Sequence, residues 1–497
     1  MPTIINKLPF KLYKKPDEFS TIYPLGSDGR PTGKVYVEDG ITQIHHDVTM
    51  EDTNITSVSL PKTLQRFDDY QFKNCVNLES VTFREYNPSF RYSISSECFS
   101  GCTSLKHVDI PPVVSTISSN AFYKTNIESF DFTNIDYLGS GSFMYTKLKT
   151  INITDKVDSY GMNVSVFRYC EELETVYSNS IYLVDDQYVF ANCTNLKNIE
   201  IPEGTIHLGS WVFSNCISLK TLHLPTSLTY IGGGALEKSG IESINLENIT
   251  KFGSNVFMGS AIKNATIPGT CTIDTDIFRD CLQLESVTFG EGITTIPYRT
   301  CMGSTVSEVN LPSTLTTIKK QAFDHCINLK SIVIPDGVTT LEEQCFWYSG
   351  LVSIDLPDSI TTIGNNVFGY CDSLKSFRFP SSMTSLSYNI FYNCLSLETI
   401  EITNPNFTFT HYNGFYYCKA LKRVIVPEGF CKSLYISSNS SSSHSQLLEV
   451  EGMVNMFNNL ADLTGSTAQT ITIGANNKAK LSAEQIAIAT SKNWIIN

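Results

Sequence analysis

Nowhere does the 497-residue chain hold an apolar run of the roughly 18 residues that a membrane-spanning helix needs. No membrane insertion is therefore expected. Charge is scarce too: only 17% of residues are charged, and the balance is acidic at -13. Such a chain is repelled by the phosphates of nucleic acids and by anionic lipid surfaces, which argues against either as a partner. The opening "MPTIINKLPFKLYKKPDEFS" lacks the apolar core of a signal peptide, because Asn6, Lys7 and Pro9 break it up. The expectation is that export does not use that route, or that the outside is reached in another way. Motifs for chemistry are missing as well. There is no HExxH, no GxSxG, no phosphate loop and no calcium loop. Fifteen cysteines include no CxxC, which disfavours a zinc ribbon. His45-His46 beside Asp47 is the one histidine pair, and it reads more readily as a solvated loop than as a metal site. No catalytic residue, metal or cofactor is expected. What is left is a folded chain, 41% hydrophobic, with abundant Ser, Thr and Asn at its surface.

What is there is a repeat. A phenylalanine recurs from Phe72 through Phe122, Phe190, Phe278 and Phe346 to Phe415, sixteen positions in all at a mean spacing of about 23 residues, with Leu236 and Cys301 as substitutes. A degenerate earlier copy runs from Val35 to Pro61. After each anchor come aliphatic residues spaced three and then two apart, as in Leu329, Ile332 and Ile334, and often a proline such as Pro335. The spacing predicts a short strand per unit, closed by a turn. No unit can bury its phenylalanine and aliphatic row alone, so the units must stack, and their strands must form a parallel sheet.

Ten anchors carry a cysteine three residues on (Cys75, Cys102, Cys170, Cys193, Cys216, Cys281, Cys326, Cys371, Cys394 and Cys418), and there the next core aliphatic lies six residues after the anchor. Where Thr125, Thr146, Ser239, Ser260, Ser304 or Ser349 stands instead, the aliphatic lies five residues after. Two turn lengths follow. The longer points a small apolar thiol inward, and the shorter leaves a hydroxyl to bond the turn backbone. Stacked cysteines would have Cα atoms within disulfide range, but their Cβ vectors should run parallel rather than face one another, so reduced thiols are expected.

These residues resemble the BspA-like leucine-rich-repeat family, whose repeat of roughly 23 residues is nearly spelled out in "LKTLHLPTSLTYIGGGALEKSG" and "LVSIDLPDSITTIGNNVFGYCDS". The resemblance covers residues 35–430. It implies a leucine-rich-repeat solenoid with a long curved parallel β-sheet on one face. It also implies an extended binding surface, often that of an adhesin on the outside of a cell or particle, and no catalytic residues. Residues 431–497 contain "NLADLTG", "TITIG" and "LSAEQIAIATSKNW". This block resembles a closing unit of repeat proteins from gut bacteria and their phages, and reads as a small α/β cap over the last rung. Residues 1–34 hold five prolines and read either as an irregular cap or as an arm that docks on a virion or a neighbouring subunit.

Two polar rows run along the predicted strands. One alternates in sign, as in Glu128, Lys149, Glu174 and Lys197, which places opposite charges side by side on a parallel sheet. The other varies: Asn152, Tyr177, Glu200, His223 and Asn245 succeed one another over a floor of small residues. These five are the candidate binding residues, although plain solvent exposure yields the same pattern. The sequence thus predicts a non-enzymatic adhesion scaffold for a protein or glycan on a host or cell surface. A phage virion appendage fits first, because virions assemble in the cytoplasm and suit reduced thiols. A bacterial surface or secreted adhesin is the alternative, and an unrecognised glycan-active enzyme a distant one.

Overall fold

The computed structural model describes residues 23–25, 31–44, 49, 51–86, 88, 92–154, 157, 163–409, 414–436 and 448–497. His45, His46 and Asp47, residues 1–22 and 26–30 of the proline-rich segment, and the serine-rich stretch 437–447 lie outside the described residues. Two compact units are present, Met1–Ile249 and Thr250–Asn497. Each is a parallel β-solenoid.

In the first unit, strands Pro31–Tyr36, Ile55–Leu60, Ser80–Phe83 and His107–Val108 pair in parallel. Strand Tyr23–Leu25, within the proline-rich segment, runs antiparallel to Pro31–Tyr36 and closes the outer edge of this sheet. A second run comprises Thr150–Ile153, Thr175–Ser178 and Asn198–Ile199. The repeat fixes the register: equivalent positions of successive coils lie side by side, Ile151 with Val176 and Asn152 with Tyr177. Along Thr150–Ile153, exposed and buried residues alternate strictly, which seats Ile151 and Ile153 in the core.

The anchors form the spine of that core. From Phe72 to Phe213 successive rings stack with centroids 5.2–5.9 Å apart and tilts of no more than 24°. In the second unit Phe323, Phe346, Phe368, Phe391 and Phe415 do the same at 5.5–6.0 Å. Each anchor from Phe72 to Phe391 sits between two residues of positive φ, as Phe190 does between Tyr188 (59°) and Asn192 (63°). That alternation points three amides at the next coil: Tyr188 N–H to Ser210 O (3.0 Å), Phe190 to Val212 (3.0 Å) and Asn192 to Ser214 (2.8 Å). The left-handed backbone costs roughly 1–2 kcal/mol per non-glycine residue, and these inter-coil bonds offset it.

All fifteen cysteines are free. The ten repeat cysteines are buried, as the spacing predicts, but they do more than fill space. In every case the thiol donates to a carbonyl of the preceding coil. Cys193 bonds Phe167 O at 3.2 Å, Cys216 bonds Phe190 O at 3.2 Å and Cys394 bonds Phe368 O at 3.0 Å. Burial pushes the Cys170 and Cys216 thiols up to about 12, so they stay protonated donors. The hydroxyls of the short turns divide according to the coil that follows. Thr125 bonds Phe122 O of its own turn at 3.0 Å, as expected. Thr146, Ser260, Ser304 and Ser349 instead meet the thiol of the next coil at 3.2–3.8 Å. Ser239, followed by another short turn, has no partner among the described residues.

At the end of the second unit, strands Leu434–Tyr435, Gln469–Thr472 and Trp494–Ile496 continue the parallel pairing. Helix Val450–Asn458 packs Met453, Met456 and Phe457 inward against strand Arg423–Ile425, and Arg423 pairs with Glu449 at 2.7 Å. Ser482 caps helix Ala483–Thr490 through a reciprocal box with Gln485.

Candidate binding surface

Core residues Ile151, Val176, Ile199 and Leu222 point inward, so by the two-residue strand period their successors Asn152, Tyr177, Glu200 and His223 point out. All four are exposed, Tyr177 by 52%. The register sets Tyr177 beside Asn152. Glu200 directly follows the Val176–Ile199 pair, and His223 and Asn245 each stand two residues beyond the Thr221–Ser243 bridge. The structure therefore brings all five candidates onto one row of the first unit. Among the described residues, the side chains of Asn152, Tyr177, Glu200 and His223 make no hydrogen bond or ion pair. Asn245 Oδ1 accepts the Glu247 N–H at 3.0 Å and so terminates its own turn.

The neighbouring row is spent internally. Lys149 pairs with Glu128 at 3.3 Å, Lys197 with Glu174 at 3.0 Å and Lys220 with Glu242 at 3.6 Å. In the second unit the variable row is partly self-satisfied: Arg378 meets Glu401 at 3.6 Å and Asn310 bonds Thr288 at 3.3 Å. Val333 there is 83% exposed with nothing polar to offer. Unengaged donors and acceptors around an aromatic ring are thus a feature of the stretch from Asn152 to His223.

A second set of surface aromatics was not singled out from the sequence. In the first unit Tyr145 stacks on Tyr169 at 4.5 Å and Tyr188 on Trp211 at 5.1 Å, with the Arg168 guanidinium 5.0 Å from the Tyr169 ring and 4.7 Å from Tyr188. In the second unit His325, Tyr348 and Tyr370 stack at 4.7 and 4.2 Å. These side chains occupy the positive-φ positions two residues either side of the anchor. Aligning that position across repeats gives Tyr145, Tyr169, His325, Tyr348, Tyr370 and Tyr417, a signal the sequence did carry. Their faces cover one another, so the ladder presents ring edges and hydroxyls. Burial against neighbours raises the Tyr145 and Tyr370 phenols.

Among the described residues, no three His, Cys, Asp or Glu side chains gather as a metal site. No described helix is long and apolar enough to cross a membrane. The profile of the BspA type Leucine rich repeat region matches residues 87–186, 185–307 and 294–422, well over half of the chain. The chain belongs to the BspA-type leucine-rich repeat family. Among solved structures, this BspA-type chain is similar to a leucine-rich repeat protein from Bacteroides ovatus, with 22% identity over 82% of this chain and 98% of that one and a TM-score of 0.58, which supports the fold. A leucine-rich repeat protein from Eubacterium ventriosum matches at 21% identity over 70% and 90% of the two chains, TM-score 0.41. A leucine rich cell surface protein from Faecalibacterium prausnitzii matches at 19% over 82% and 95%, TM-score 0.24. No curated protein matches the sequence.

Proposed function

We propose that this BspA-type protein is a non-enzymatic adhesion scaffold that binds a protein or glycan on a host or cell surface, and that Asn152, Tyr177, Glu200, His223 and Asn245 form its binding row. One observation carries the reading: Asn152, Tyr177, Glu200 and His223 stand exposed and unengaged on successive rungs, while the adjacent charged row is consumed in ion pairs. Rungs about 4.8 Å apart let a tyrosine ring, a carboxylate and an imidazole meet one extended ligand together. The ring supplies apolar stacking area, and its neighbours supply directional hydrogen bonds. Residues 1–34 serve either as the cap of the first rung, in keeping with strand Tyr23–Leu25 at the sheet edge, or as an arm that docks on the carrier displaying the scaffold, a virion or a neighbouring subunit. Tail or capsid genes beside the coding sequence would mark a phage appendage, and surface-anchoring or secretion genes a bacterial adhesin.

The test is attachment of the purified chain to a panel of cells and immobilised glycans, before and after replacing Tyr177, Glu200 and His223 with Ser. None of the three is in the core, so the circular dichroism melt should not move. Attachment should be lost. Retained attachment by the triple variant would place the site elsewhere.

A further inference from the structure

The second ladder of each solenoid is made mostly of two-residue strands that end five residues before the anchor, so the residue four before it stands just past the strand. The residue at that position closes the ladder onto the preceding coil. Its amide does so in Lys319 to Ile296 O (3.0 Å), Glu342 to Ile318 O (2.9 Å) and Gly364 to Leu341 O (2.7 Å). Where the strand pairing lapses, the side chain at that position takes over: Ser95 Oγ to Phe67 O (2.8 Å), Asn163 Nδ2 to Leu138 O (3.2 Å) and Ser387 Oγ to Ile363 O. The coil that follows strand Thr272–Ile273 has neither device. Its residue is Pro297, which carries no N–H and no side-chain donor.

The consequence is an open seam. Strand Thr272–Ile273 pairs with Lys251–Phe252 behind it but not with Thr295–Ile296 ahead of it. Among the described residues, the Cys271 and Ile273 carbonyls accept no hydrogen bond. Ile273 is only partly buried, whereas its counterparts Phe252, Ile296 and Ile318 are fully inside. A cleft of about 500 Å3 occupies the gap, with Ile273, Ile293 and Pro297 among its lining residues, Asp274 on one lip and Lys319 beyond the other. Both ends are pinned. A Cβ on Gly269 would lie 1.7 Å from the Glu291 carbonyl, and Asp276 N–H bonds Tyr298 O at 3.1 Å.

We propose that this seam is a binding site for a short extended peptide, which lies across the mouth and donates backbone N–H groups to the Cys271 and Ile273 carbonyls. Two acceptors two residues apart on a strand edge match the alternate N–H groups of an extended chain, which is how strand addition gains affinity. The partly exposed Ile273 offers an apolar seat for one side chain of that peptide. The volume falls within the range of about 300–1,000 Å3 typical of ligand clefts. Asp274 and Lys319 give the two lips opposite charge, which suits a backbone carrying both donors and acceptors. This site is separate from the strand row, so failure of one leaves the other standing.

Cys271, half-buried in the cleft, reports on occupancy. The full chain is labelled with a maleimide, and Cys271 and Cys431 are read separately by mass spectrometry. The probes are acetyl-Thr-Val-Thr-Val-amide and the same peptide N-methylated at both valines. At twice its dissociation constant the unmodified peptide should slow Cys271 labelling about threefold, since protection follows 1 + [L]/Kd. Cys431 should be unaffected, and the N-methylated peptide should not protect. Pro297→Lys, which restores the donor found at Lys319, should close the seam and suppress Cys271 labelling without any peptide. Equal protection by both peptides would make this an apolar small-molecule cleft and overturn the proposal. So would no protection by either peptide, or undiminished Cys271 labelling in a folded Pro297→Lys chain.

Discussion

Replacing Cys193 with Ala removes one rung of the thiol ladder. Cys193 is fully buried and its Sγ donates to the Phe167 carbonyl at 3.2 Å. That carbonyl also accepts the Cys170 N–H at 3.2 Å, so the substitution leaves it with a partner. Deleting one buried heavy atom costs about 0.5–1.5 kcal/mol. Losing a weak sulfur donor adds about 0.5–1 kcal/mol. The sum is about 1–2.5 kcal/mol, and in a solenoid it falls on the coil concerned and its neighbours. Hydrogen exchange reads such local loss. Amides of the Tyr188–Cys193 turn should exchange faster by a factor of roughly 5–70, while those around Phe323 stay unchanged. Cys193→Ser keeps a donor and should lose less than Ala. A serine variant that loses more than alanine would show the thiol to be mere apolar filling and refute the hydrogen-bonding role.

In native protein only Cys271 and Cys431 should react with thiol reagents, whereas denaturant without reductant should expose all fifteen; finding most of them already paired would contradict the free-thiol ladder. Burial pushes Cys271 up to about 11, so its labelling rate should climb with pH through the neutral range and level off only near that value; a plateau near pH 9 would mean an unburied thiol. Deleting residues 447–497 strips the helix from strand Arg423–Ile425 and exposes Leu421 and Val424, at roughly 1.5–3 kcal/mol each. Aggregation or fraying from that end is expected, and an unchanged melting temperature would mark the block as an independent module. Lys197→Glu turns the 3.0 Å pair with Glu174 into a repulsion worth about 1 kcal/mol or less, so the loss in melting temperature should shrink in high salt. A salt-independent loss would point to packing instead.

The solenoid was legible because its signal repeats. An anchor, phenylalanine in fourteen of sixteen units, followed by aliphatic steps of three and two has one solution when it recurs so often, and the register that sets Asn152 beside Tyr177 follows from it. The buried fate of the ten cysteines was legible for the same reason. Their bond to the preceding anchor was not, because a contact between coils depends on where a thiol points, which spacing does not specify. Thr125 and Thr146 occupy the same sequence position yet choose different partners, since the deciding feature is the turn length of the next coil. The aromatic ladder could have been read by aligning the position two residues after the anchor. Pro297 was visible too, but its meaning depends on knowing that the residue four before the anchor closes the ladder in its neighbours, as Lys319, Glu342 and Gly364 do.

The most direct test of the binding row is hydroxyl-radical footprinting of the intact chain, free and bound to whichever surface retains it. Tyr177 and His223 should be protected on binding, while Tyr348 and Tyr370 on the turn edge remain as reactive as in the free chain. Protection of Tyr348 and Tyr370 with Tyr177 and His223 left reactive would contradict the account and move recognition to the aromatic ladder.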